Sequence, residues 1–97
     1  MGLFSLFKSK KAGNRLDAER RQFLAQHGRV TDGLIIDTET TGRGEEIVFY
    51  RYTLNGVDFE SSEMLNEQQM SDLLSYAPGA KVAIRYDPRN QGNSMLV

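Results

Sequence analysis

Hydrophobic and polar positions alternate most clearly between Glu46 and Leu54. Val48, Tyr50, Tyr52 and Leu54 fall on one face of an extended strand, and Ile47, Phe49, Arg51 and Thr53 on the other. Asn55-Gly56 follows directly, the favoured pair for a two-residue type I′ hairpin because both central positions take positive φ. Val57-Asp58-Phe59-Glu60-Ser61 then runs back as the partner strand. The same period of two recurs in Lys81–Tyr86, with Val82, Ile84 and Tyr86 on one side. Val30–Asp37 is β-rich and carries Gly33, where a bulge or a close backbone approach is expected. Ser94–Val97 is short and β-like. Thr38–Glu45 is polar and glycine-containing, and reads as the loop joining the first two strands.

The period changes to that of a helix before this β region and once within it. Asn14 is a good N-cap, Asp17 can reach back to it, and Gly28 supplies a stop. Between them Leu16, Phe23, Leu24 and His27 share one narrow face, so the helix is expected to pack lightly on the body or on a partner. Asn66–Tyr76 has helical spacing at Met70, Leu73 and Leu74 but is short, a helical turn or an irregular lid. Pro78-Gly79 and Asp87-Pro88 read as turns on either side of the fourth strand, with Asp87 accepting from backbone N–H groups. The predicted fold is mainly β: a small curved five-stranded antiparallel sheet or partly open barrel, an N-terminal α-helix, and a short helical turn before the fourth strand. Residues 1–13 form an apolar and basic leader, 14–28 the helix, and 29–97 the β domain.

Composition narrows the chemistry. Ninety-seven residues allow a single core, and the absence of cysteine removes disulfides, thiolate metal sites and cysteine nucleophiles. One histidine, His27, leaves little for a triad or a metal site, and no cofactor is expected. Asp32, Asp37, Glu39, Glu45, Glu46, Asp58, Glu60 and Glu63 are not spaced as a coupled pair, and read as a solvated acidic surface. Ser61, Ser62 and Ser71 lack a nucleophile-elbow context, and Gly42-Arg43-Gly44 lacks the surroundings of a phosphate loop. Enzyme activity is not expected. Phe49, Tyr50, Tyr52, Phe59 and Tyr86 with Arg51 and Arg85 form a candidate stacking surface for single-stranded nucleic acid, but an acidic body opposes binding of a polyanion.

Charge is divided along the chain. The formal net charge is −1, yet residues 1–30 hold seven basic side chains against two acidic, and residues 31–97 five against eleven. No stretch approaches the roughly 20 apolar residues of a transmembrane helix. The order of the start, apolar Leu3, Phe4, Leu6 and Phe7 and then Lys8, Lys10 and Lys11, differs from that of a secretory signal. It suits a short interfacial anchor, with the lysines reaching anionic headgroups. The same apolar side chains would alternatively be covered by a second copy of the chain.

Tyr50–Phe59 with its Asn55-Gly56 turn, Tyr76–Asn90 with its Pro78-Gly79 and Tyr86-Asp87-Pro88 segments, and the closing Ser94-Met95-Leu96 resemble a bacterial family of small β-barrel-like domains, the domain of unknown function catalogued as three-five-nine-two. The resemblance covers about residues 29–97; Gln91 stands where members more often carry a second proline, and Gly33 is compatible. It implies a fold and no activity. Many members are tethered by transmembrane helices, a role the leader is expected to take over here. The expected function is therefore that of a cytoplasmic, non-enzymatic interaction module, peripheral to the inner face of the membrane through its N-terminal segment. Self-association through that segment and single-strand binding are the alternatives.

Overall fold

The computed structural model describes residues 16–97. Helix α1 occupies 16–27, and the strands that follow are β1 (Arg29–Thr40), β2 (Glu46–Leu54), β3 (Val57–Met64), β4 (Lys81–Asp87) and β5 (Asn90–Leu96). A single-turn helix, α2 (Glu67–Met70), and a 3-10 turn (Leu73–Tyr76) bridge β3 and β4. These strands form one sheet in the order β3-β2-β1-β4-β5, every neighbouring pair antiparallel. The sheet curls until β3 meets β5, giving the nearly closed, barrel-like form that the alternating pattern predicts. Direction reverses at each step across the sheet, so β3 and β5 run parallel where they meet. The antiparallel ladder therefore cannot simply continue across this seam.

The interior follows from the period-two pattern. Val48, Tyr50, Tyr52 and Leu54 of β2 are all buried, with Ile35, Ile84, Leu65 and Leu96 closing around them. Each fully buried side chain of this kind contributes about 1.5–3 kcal/mol. Tyr52 sits at the centre of stacked rings, 6.1 Å from Tyr50, 5.4 Å from Phe59 and 6.4 Å from Tyr86.

β1 is the strand about which the sheet curls. Its first half, Arg29–Leu34, pairs with β4, while Gly33 onward pairs with β2, so Gly33 and Leu34 have ladder partners on both sides. A Cβ at Gly33 would lie 2.6 Å from Ile84 Cγ1 and 3.1 Å from the Arg51 carbonyl oxygen, so the missing side chain is what lets the sheet fold over itself here. The register shift lies beyond it, between Ile35 and Asp37. Sequence reasoning placed either device at Gly33; the chain uses a close approach there and a bulge further on.

Several boundaries differ from the sequence expectation. β1 continues through Thr38, Glu39 and Thr40, which pair with Val48, Ile47 and Glu46, and shortens the loop to Thr41–Glu45. Polar side chains support the extension, since Thr40 Oγ1 donates to Glu46 Oε1 at 2.6 Å. β3 runs on to Met64 and β5 begins at Asn90. The turns have the following geometry. Asn55 and Gly56 have φ of 51° and 80°. Gly79, after Pro78, has φ of 93° and donates to the Ile35 carbonyl at 2.8 Å. Asp87 Oδ1 accepts from the Arg89 N–H at 2.9 Å across Pro88.

Candidate functional site

The seam between β3 and β5 is where the molecule departs most from its sequence reading. With period two running inward from Phe59 through Ser61, the next inward residue of β3 is Glu63, and it is buried. Its Oε1 accepts the Leu96 backbone N–H of β5 at 3.0 Å, the part a carbonyl would play in a neighbouring strand. Its Oε2 lies 3.3 Å from an Arg21 guanidinium nitrogen. The complementary half comes from the helix, because Arg20 donates to the Ser94 carbonyl. One donor and one acceptor, both from side chains, thus cap two backbone groups on the same edge of β5. An inward charge on an edge strand also discourages pairing with another chain.

Helix α1 lies over this seam on a polar stripe. Asp17, Arg20, Arg21 and Leu24 recur at three- and four-residue spacing, and Leu24 is fully buried. Asp17 accepts from Arg20 at 2.6 Å and from Arg21 at 2.8 Å. Burial opposes the charge of Asp17, but hydrogen bonds and charge from Arg21 and Arg20 outweigh it and hold the carboxyl below its usual pKa. Arg21 is likewise disfavoured by burial, yet Asp17 and Glu63 raise its pKa. The helix ends at a glycine: the Gly28 N–H donates to the Leu24 carbonyl at 2.8 Å, and a Cβ there would sit 2.5 Å from that same oxygen.

This corrects two sequence readings. Leu16, Phe23, Leu24 and His27 were expected to form the packing face, but Leu24 alone among them is buried, while Leu16 is 56% and Phe23 43% exposed. The Phe23 and His27 rings meet each other in a tilted arrangement, centroids 5.1 Å apart. A charged stripe has taken the place of the apolar one because the seam offers unpaired backbone groups. Glu63, counted with the solvated acidic surface, is instead a seam residue; the signal that could have found it is the inward alternation from Phe59 continued past Ser61. Asp17 accepts from both arginines; its expected reach back to Asn14 lies outside the described residues.

The aromatic residues proposed as a stacking surface are largely committed elsewhere. Tyr50 and Tyr52 are buried, and Phe59 and Tyr86 pack against the core, so these rings do not form an open platform for bases. The Tyr50 hydroxyl is 2.7 Å from Ser94 Oγ, and the Tyr52 hydroxyl donates to the Gln91 carbonyl. Burial pushes the pKa of both phenols up. Beside α1, a groove of about 800 Å³ is walled by Arg21, Gln22 and Ala25, faced by Ser71 and Tyr76, and floored by Met95 and Leu96. Among the described residues, no cluster of three or more His, Asp or Glu side chains is placed to hold a metal ion.

Leu3, Phe4, Leu6, Phe7, Lys8, Lys10 and Lys11, named as membrane or partner contacts, lie outside the described residues. No helix among the described residues is long and apolar enough to cross a membrane.

The barrel and its turns coincide with a known family. A family model described as "Domain of unknown function (DUF3592)" matches residues 26–97. The chain belongs to this family. Neither the curated proteins nor the solved structures contain a match to it. The DUF3592 match takes in all five strands and begins at the end of α1, so the residues that seal the seam from the helix side, Arg20 and Arg21, precede it.

Proposed function

We propose that this DUF3592 chain is a non-catalytic binding module that works at the inner face of the cytoplasmic membrane, with α1 and the residues preceding it as the contacting arm. The observation that carries this reading is the outward face of α1. Leu16 and Phe23 are exposed there while the helix is docked, and they continue an apolar and basic sequence in which residues 1–30 hold seven cations and two anions. Apolar side chains entering the interface and cations meeting anionic headgroups would then act together. Flotation with vesicles containing anionic lipid, comparing the full chain with one lacking residues 2–11, tests the reading. The full chain is expected to float and the shortened one to float less; failure of both would remove the membrane from the proposal.

Self-association through the same arm is the competing reading, favoured by the same exposed Leu16 and Phe23. Light scattering on the two proteins separates them, since an arm that pairs copies gives a dimer that the shortened chain loses.

A further inference from the structure

The contacts that hold α1 on the barrel are ones that an anionic surface would also make. Arg21 is shared between Asp17 at 2.8 Å and Glu63 at 3.3 Å. Asp17 belongs to α1 and travels with it, so Glu63 is the anion that ties this guanidinium to the barrel. Arg20 adds a bond to the Ser94 carbonyl, and Leu24 is the buried apolar contact. Carboxylate and phosphate present the same chemistry to a guanidinium, paired oxygens accepting two N–H bonds.

From this we infer that Glu63 stands in for an anionic lipid headgroup: it holds Arg21 while α1 is docked, and an anionic membrane competes for the same guanidinium and draws α1 off the seam. The inference rests on the membrane reading above and adds its regulation. Release brings Leu24 out beside Phe23, so the helix that leaves the barrel has one more apolar side chain to place in the interface. It also leaves Glu63 buried without its cation, which is unfavourable in a low-dielectric site. The seam then loosens until water reaches the carboxylate, and the Leu96 N–H, whose acceptor is Glu63, loses protection. Occupancy of the arm is in this way felt on the edge strand beneath the helix.

Two substitutions that break the same ion pair separate this from a purely structural role. Glu63→Gln keeps an oxygen for the Leu96 N–H and removes the charge that retains Arg21; Arg21→Ala removes the cation itself. On vesicles of mixed phosphatidylglycerol and phosphatidylcholine, Glu63→Gln is expected to bind about fivefold more tightly than the native chain and Arg21→Ala about fivefold more weakly, the worth of one cation at such a surface. Neither should change binding to phosphatidylcholine alone. Hydrogen exchange on the native chain should show faster exchange at Leu96 when anionic vesicles are added, with β1 and β2 still protected. If the native chain floats but both variants shift the same way, or Glu63→Gln shifts nothing, the competition is overturned and the membrane reading stands. If no chain floats, both fall. Loss of β1 and β2 protection in Glu63→Gln would make unfolding the cause of any gain and would equally overturn the proposal.

Discussion

The barrel interior and the seam under α1 are two regions of one small molecule built on opposite principles. The interior is held by rings and branched chains: Tyr50, Ile35, Ile84 and Val48 are fully buried, and Tyr52 stacks on three neighbouring rings. Its stabilisation is large, spread over many contacts, and independent of charge pairing. The seam is held by Arg20, Arg21, Asp17 and Glu63 together with one buried leucine. Its contacts are few and their strength depends on charge, and three of the four charged groups are partly open to solvent. A domain with a robust interior can tolerate a seam of this kind, and the weaker region is the one that an external anion or a change of pH can reach.

The largest test of this contrast is Tyr50→Ala, which empties the centre of the interior and removes the hydroxyl that meets Ser94. A loss of about 4 kcal/mol is expected in urea unfolding, enough to leave much of the chain unfolded. Less than 1 kcal/mol would mean that the interior does not dominate. Leu24→Ala acts on the other region, with an expected cost of about 2–3 kcal/mol confined to α1. Residue-resolved hydrogen exchange should show the helix losing protection while β1 and β2 retain theirs; equal losses in both would mean that the two regions are one cooperative unit. The smallest effect is that of acid. Asp17 has its pKa held below the ordinary 3.8, so its contribution is complete above that value and is lost as pH falls through the depressed pKa. The carboxylate is well solvated, so the change amounts to less than about 1 kcal/mol. It should appear as acid fraying of α1 that Asp17→Asn no longer shows.

What could be read from the sequence divides along the same line. β2 and the Asn55-Gly56 turn are visible because one face is uniformly apolar and the turn needs two positive φ values that few residue pairs supply. The β1 extension through Thr38–Thr40 was hidden because its side chains are polar on both faces, leaving hydrogen-bonded pairing as the sole cue. Glu63 was hidden by its charge: a glutamate is expected outside unless its position in the alternation is followed inward and a cation is sought for it. The roles of Arg20 and Arg21 were hidden because the groups they meet, the Ser94 carbonyl for Arg20 and the Glu63 carboxylate for Arg21, come within reach only once the sheet has curled. Periodicity records which side chains avoid water, and it carries no trace of a polar side chain recruited to finish a backbone ladder.

The corner at Gly33 gives the seam a mechanical meaning. The β2–β3 and β4–β5 hairpins are like two covers of a book, and the stretch of β1 around Gly33 that both grip is its spine. The clasp, α1, lies across the opposite edge, where the covers meet. A force that opens a book works through the longest arm at the clasp and through almost none at the spine. The same few polar contacts placed near Gly33 would scarcely resist opening, whereas at the seam their full leverage is used. Modest bonds suffice to keep the covers shut, and loosening them moves the parts of the domain that lie farthest from its fixed axis.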